Sequence, residues 1–309
     1  MQLLLFGCTG FIGSELVPRL LSSGHQITIV SRRKKKKLKN FNLNTIKFIN
    51  ANPANLSCWN NSELINSLTS AEGIINLAGE PIADKRWTKK HREEIQKSRL
   101  QSTQYLINAI SKLKRSPSVL INGSAIGFYG TSLEKLFDEN SSSGEDFLAK
   151  LCYQWESIAS KKPSQTRLVT IRTGIVLGKD GGALAKMIPV FRAGFGGPIG
   201  SGKQWMSWIH RSDLCQIIEQ ALTRKSWSGV FNGVSPNPVT MYEFCNLLGK
   251  SLNRPSLVAV PGAILKILLG DGAQVVLQGQ RVSPKRLAKE GFKFNYPNLD
   301  NAFQSIRDS

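Results

Sequence analysis

Acidic residues, cysteines, histidines and long apolar runs are all scarce in this chain. Against 41 Lys and Arg stand only 21 Asp and Glu over 309 residues, a formal net charge of +20. Such an excess suits nucleic acid, an anionic membrane surface or an anionic small molecule, and does not choose among them. The five cysteines (Cys8, Cys58, Cys152, Cys215 and Cys245) are odd in number, widely spaced and free of any Cys-x-x-Cys pair. That argues against a disulfide framework or a cysteine zinc site and suits a reducing compartment. His25, His91 and His210 lack metal-ligand spacing, so no metal is expected. The most apolar stretch, Leu257 to Leu269, is interrupted by Pro261 and Lys266 and is shorter than a membrane span requires. It reads as a core helix, with a membrane-surface element as the alternative. A strand-like run begins at Gln2, leaving no room ahead of it for a leader, so the expectation is a cytoplasmic chain without a transmembrane span.

Hydrophobic residues make up 41% of the chain, enough for a sizeable core. Its length suits two lobes sharing a crevice. The first half alternates short apolar runs with amphipathic segments. Strands are expected at Leu3–Phe6, Gln26–Val30, Lys47–Ile49, Gly73–Leu77, Val119–Asn122 and Leu168–Arg172, and helices at Ile12–Ser22, Lys89–Lys112 and Phe147–Ser160. This rhythm predicts an α/β fold: a Rossmann, doubly wound parallel sheet with a smaller C-terminal α/β substrate domain. The boundary is expected near residue 175, giving a nucleotide-binding domain over 1–175 and a substrate domain over 176–309, with segments around 208–234 returning to the first. Nine glycines between Gly174 and Gly202 mark tight turns and loops. The tail from Val282 to Ser309 reads as a compact subdomain.

The strongest motif is Gly7-Cys8-Thr9-Gly10-Phe11-Ile12-Gly13, directly after the first strand and opening the first helix. Gly7 permits a sharp turn, Gly10 lets backbone approach a pyrophosphate, and Gly13 lets helix and strand pack closely; the helix N-terminus then faces the phosphates. At the end of the second strand, where an NAD site carries an acid for the ribose 2′-hydroxyl, this chain has Ser31-Arg32. A guanidinium pairs with a 2′-phosphate and a neighbouring hydroxyl donates to it, so NADP(H) is expected, with Ser31 and Arg32 as the clamp. Lys34 to Lys37 read as solvated lysines that steer anions. The fourth strand ends in Leu77-Ala78-Gly79, small enough for the cofactor to lie against backbone. Arg99 is a candidate phosphate or ribose ligand, with a surface salt bridge as the alternative.

These residues, with Asn76 to Glu80, Arg86-Trp87, Ser124 to Gly130, Trp155-Glu156, Arg172 to Gly178, Gly200 to His210 and Gly279 to Pro284, resemble the extended short-chain dehydrogenase/reductases. The narrower likeness is to their atypical NAD-dependent epimerase/dehydratase-like branch, the epimerase family proteins. The resemblance adds Val176 to the cofactor contacts, which are then Gly7, Thr9, Gly10, Phe11, Ile12, Gly13, Ser31, Arg32, Leu77, Ala78, Gly79, Arg99 and Val176. It places Ser124 where the superfamily's catalytic serine stands, and Tyr129 could reach the same cleft. The superfamily's Tyr-x-x-x-Lys acid/base pair is absent: no tyrosine here precedes a lysine at that spacing, and Tyr153 is followed four residues later by Ser157.

Lys203, Gln204, Trp205 and Trp208 are expected to face a ligand, and His210 is the one histidine placed near the cleft. Gly197 to Lys203 has the spacing of a phosphate-binding loop but lacks the following Ser/Thr and the strand-helix context. Two readings stay open. One is an NADP(H)-dependent oxidoreductase or nucleotide-sugar-epimerase-like enzyme acting on a small polar or phosphorylated substrate between the lobes. The other is a catalytically silent NADP(H)-binding protein that regulates a protein partner, in a role the resemblance links to cell or plastid division. Nucleic acid is not expected as a partner.

Overall fold

A computed structural model describes residues 1–33 and 45–308. Lys34 to Lys37 lie outside the described residues. Seven parallel strands form the central sheet: β1 Gln2–Phe6, β2 Gln26–Ser31, β3 Ile46–Asn50, β4 Gly73–Asn76, β5 Val119–Ala125, β6 Arg167–Thr173 and β7 Gly229–Gly233. Their order across the sheet is β7-β6-β5-β4-β1-β2-β3. The direction of winding reverses between β1 and β4, the switch point at which open α/β sheets place ligands. The fold is the expected doubly wound one, with one strand more than the six expected. Residues 229–233 are interrupted by glycine at both ends and carry one large apolar residue fully buried, Phe231, too little to stand out as a strand.

The strands are mostly apolar, with β1 and β4 nearly continuously so, because helices cover both faces of the sheet. Leu3 and Leu5 of β1 enter one core together with Ile27, Ile29, Val119 and Ile121. Leu4 and Phe6 enter the opposite one with Val30, Ile74 and Leu120, as the period-two alternation of a strand requires. Helix α1 (Gly13–Ser22) and helix α6 (Arg211–Thr223) close the first face; α2 (Ser62–Ser70) and α3 (Lys89–Ser111) close the second. Helix α4 (Phe147–Ser160) lies beside α3. A third core joins α5 (Gly182–Arg192), α7 (Met241–Ser251) and the last helix, Leu299–Asp308, through Leu184, Phe244 and Phe303.

One expectation needs correcting. The apolar stretch near residue 260 is not a core helix. Its helical part, α8 (Gly262–Leu269), rests on the turn at Gly270–Ala273 and leaves Ile264 and Ile267 exposed. The tail packs into the rest of the molecule. Arg281–Val282 pairs with Leu136–Phe137, Leu287 and Phe292 join the sheet's first core, and Leu299 to Ile306 join the third. No helix among the described residues is long and apolar enough to cross a membrane.

His210, expected near the cleft, instead caps α6: its Nδ1 accepts the Ser212 amide at 3.2 Å, and its ring lies 3.9 Å from that of Tyr296. Burial pushes its pKa down from 6.5 to about 4. The folded state therefore holds a neutral imidazole while the unfolded chain takes up a proton, so this contribution to stability is lost as pH falls from about 6.5 to about 4. His210→Asn keeps a capping acceptor without a proton to gain. Urea denaturation across that window should show a smaller fall in midpoint for the variant than for the wild type; equal falls would assign the pH dependence to other groups.

Candidate functional site

The glycine turn is built by close approaches of backbone. Gly7 has φ +75°, and a Cβ there would lie 2.4 Å from the Leu77 carbonyl, so β1 and β4 can deliver their ends side by side only with glycine. A Cβ at Gly13 would lie 1.8 Å from the Cys8 carbonyl oxygen, which lets α1 start directly against the turn. At Gly10 a Cβ would meet nothing within 4 Å; that side of the turn is open to an incoming group. Thr9 Oγ1 and Ser31 Oγ lie 3.0 Å apart, joining the turn to the end of β2.

Beyond the turn opens a cleft of about 500 Å³. Phe11, Ile12, Leu77, Arg99, Ser124 and Val176 line it, so six of the residues singled out from the sequence converge on one space. Phe11 is also the joint between the two halves of the chain. A Cβ at Gly178, Gly181 or Gly182 would come within 2.9, 2.5 and 3.0 Å of its ring, and the Arg211 guanidinium stacks over it at 4.7 Å.

Arg32 is half exposed, and its Nη2 donates to Glu80 Oε2 at 2.9 Å; Lys85 holds the other Glu80 oxygen at 3.2 Å. Burial would raise the Glu80 pKa, but these two cations outweigh it and hold the carboxyl below its ordinary range. Arg33, which follows the expected clamp of Ser31 and Arg32, donates from Nη1 to the Thr9 carbonyl at 2.9 Å. Ser31 is buried, with its hydroxyl engaged by Thr9 and by the Arg33 amide.

Among the described residues Arg99 makes no carboxylate salt bridge. Its Nη1 donates to the carbonyls of Glu80 and Ile95 at 3.0 and 3.2 Å, its guanidinium lies 5.5 Å from the Trp155 ring centroid, and it packs so closely on Gly79 that a Cβ there would lie 2.9 Å from it. Burial lowers its pKa, yet a guanidinium keeps its proton. A cation without a carboxylate partner therefore stands in the cleft wall.

Ser124 closes the far side. Its hydroxyl donates to Glu156 Oε1 at 2.6 Å, and Glu156 is clamped by Arg172 through Nε at 2.9 Å and Nη2 at 2.8 Å. Arg172 Nη1 donates in turn to the Tyr129 hydroxyl at 3.0 Å, which donates to Asn232 Oδ1 at 2.7 Å. The hydroxyl proton of Ser124 is thus directed to Glu156, which leaves its oxygen free to accept. Tyr129 is not brought to the cleft: it is 3% exposed, its hydroxyl is spent within the network, and burial pushes its pKa up to about 12. On α4 the cleft-facing pairs at the spacing of a Tyr-x-x-x-Lys motif are Leu148 with Cys152 and Leu151 with Trp155. Burial pushes the Cys152 thiol up to about 11.

Of the four residues expected to face a ligand in the glycine-rich segment, Trp205 lines the cleft. Gln204 is buried, donating to the Ile199 and Val276 carbonyls, and Trp208 is buried with its indole nitrogen donating to Asn237. Lys203 is exposed and outside the lining. Glu156 and Arg172 entered the sequence reading only as carriers of the resemblance, without a role, and Asn232 did not enter it; their contact across β5, β6, β7 and α4 is visible only in the fold.

Removing one partner of a buried ion pair strands the other. Glu156→Leu should therefore cost about 3–5 kcal/mol, read as a drop in urea midpoint. A double variant with Arg172→Met should recover part of that loss; a single variant as stable as the wild type would show that the pair contributes nothing.

A model described as the NAD dependent epimerase/dehydratase family matches residues 3–232, and a domain of unknown function matches 260–306. The chain is 44% identical over 308 residues to the chloroplastic epimerase family protein SDR39U1 homolog of Arabidopsis thaliana, covering 99% of this chain and 86% of that one. It is 37% identical over 311 residues to the human epimerase family protein SDR39U1, covering 99% of each. A crystal structure of the human protein with NADPH superposes with a TM-score of 0.89 at 35% identity over 100% of both chains. UDP-glucose 4-epimerase from Thermotoga maritima shares the fold, with a TM-score of 0.78 at 17% identity over 100% of this chain and 99% of that one. A glycine turn opening onto a cleft at the sheet's switch point, carried by a sequence that matches over nearly its full length, has one reading: the chain belongs to the NAD dependent epimerase/dehydratase family.

Proposed function

We propose that this chain is an NADP(H)-dependent oxidoreductase acting on a small neutral substrate. The observation that carries the reading is the cleft itself, which has the glycine turn at one end and, facing it, a serine that donates to a partly buried carboxylate. The human relative solved with NADPH supports the choice of cofactor. The open side of Gly10 and the first turn of α1 would take the pyrophosphate. Arg32 would leave Glu80 for the 2′-phosphate, and Lys85 would stay behind to neutralise Glu80. Arg99 would meet an anionic or ribose oxygen common to both nicotinamide cofactors. The bound cofactor supplies or accepts hydride; the chain's own part is to dry, orient and hold.

The charged residues among the cleft's lining are Arg99 and Asp146, and Asp146 is spent capping α4 through the Ala149 amide at 2.9 Å. With Arg99 assigned to the cofactor, no cation pair remains to grip a substrate diphosphate. Trp205, Val275 and Gln278 offer apolar surface and neutral amides instead. Ser124, presenting lone pairs, would accept a hydrogen bond from a substrate hydroxyl and so orient an alcohol for oxidation.

One observation favours the second reading, a silent NADP(H)-binding regulator: α4 offers the cleft no acid/base pair, and Tyr129 is locked away. Turnover separates the two. A panel of neutral alcohols and carbonyls assayed with NADP⁺ and NADPH should yield a substrate whose kcat falls roughly 100-fold or more in Ser124→Ala, with cofactor affinity unchanged. No turnover across the panel, with NADPH binding intact, would favour the regulator.

Calorimetric titration should show NADPH bound about tenfold or more tighter than NADH, the worth of one charge-assisted contact. Arg32→Asp should abolish that preference, whereas Arg99→Leu should weaken both cofactors alike. Equal affinities in the wild type would remove the clamp.

A further inference from the structure

His91 is buried at 4% exposure in the first turn of α3, and neither ring nitrogen makes a hydrogen bond. An imidazole must leave water to reach such a place, and leaving both nitrogens unmatched is costly. What faces it is acidic. Glu94, three residues on and on the same side of the helix, brings Oε2 to 3.5 Å from Nδ1, and Glu80 arrives from the loop after β4. One ligand atom from each of the three residues lies within 4.8 Å of the other two.

We propose that Glu80, His91 and Glu94 bind a divalent metal ion of borderline softness, zinc(II) in preference to magnesium or calcium. One imidazole and two carboxylates make a neutral complex with a 2+ ion, and three protein ligands leave the fourth tetrahedral position to water. Bonds of about 2 Å set tetrahedral ligand atoms roughly 3.3 Å apart, so the site must contract. Glu94 can supply the movement, because its side chain is 45% exposed. The same exposure opens the way in from solvent.

Two of the competing charges, Arg32 and Lys85, are exposed, while the third, Arg99, is held by the carbonyls of Glu80 and Ile95. Arg32 and Lys85 hold Glu80 when no metal is bound, but their side chains are 53% and 62% exposed, so a cation at Glu80 can displace them into water. Once bound, the ion would tie the loop that follows Leu77-Ala78-Gly79 to the start of α3. The Glu80 amide already donates to Ser98 Oγ at 2.9 Å, and the Glu80 carbonyl accepts from Arg99, so the metal completes an anchorage already begun. The proposal stands on these three side chains and not on the cofactor assignment.

Calorimetric titration of the full chain with zinc(II) chloride should give a single ion per chain. Affinity should fall at least about tenfold in His91→Gln and in Glu94→Gln and stay unchanged in His25→Gln. Cobalt(II) should develop intense tetrahedral ligand-field absorption in the wild type and lose it in His91→Gln. Glu94 is exposed, so its variant tests the site even if the His91 variant fails to fold. Absence of zinc binding in the wild type, or binding that survives Glu94→Gln undiminished, would overturn the proposal.

Discussion

The far wall of the cleft depends on one largely buried ion pair, the fork of Arg172 on Glu156. Arg172 rises from β6 and Glu156 from α4, so the pair fixes the helix against the sheet at the point where the cleft begins. Its surplus hydrogen-bonding capacity is distributed outward: one carboxylate oxygen takes the proton of Ser124 on β5, and the remaining guanidinium nitrogen takes Tyr129, which reaches Asn232 on β7. Three adjacent strands and a helix are registered by a single chain of hydrogen bonds, charge-assisted except for its last link from Tyr129 to Asn232. A network of this kind holds its shape because each member satisfies the next, and one missing link would leave a buried charge exposed to a low dielectric.

Around that fixed wall, the positive charges fall into two kinds. Arg172 is fully answered within the protein. Arg99 and Arg32 are answered weakly, the first by backbone carbonyls and the second by an acid it shares with Lys85. The cleft and its entrance therefore carry the attraction for anions that the overall composition only hinted at, concentrated at two guanidinium groups rather than spread over the surface.

The sheet and its ligand-binding end were legible in the sequence because they rest on local rules. Fully buried strands read as apolar runs, and the glycine turn follows from backbone approaches that admit no side chain. Helices Lys89–Ser111 and Phe147–Ser160 were readable almost to the residue from their amphipathic pattern, and in the structure Thr88 and Asp146 cap them. What escaped reading depends on partners distant along the chain. Nothing near Tyr129 announces that Arg172 and Asn232 will consume its hydroxyl. Nothing near Arg32 announces Glu80, 48 residues later. His210 was misplaced because a cap at a helix start and a residue facing a cleft look alike in sequence. The run near residue 260 misled for a related reason: apolar composition records what a segment could bury, and only the placement of its neighbours decides what it does bury.

The ring of Phe11 makes the two halves of the molecule one mechanical unit. Three glycines of the second half lie flat against it, while its neighbours Gly10 and Ile12 begin the first helix. Any displacement of the segment at 178–182 must either drag that ring or open a gap beneath it, and a dense interior resists both. A side chain at any of these three glycines would therefore press on Phe11 and, through it, on the start of α1 beside Gly10.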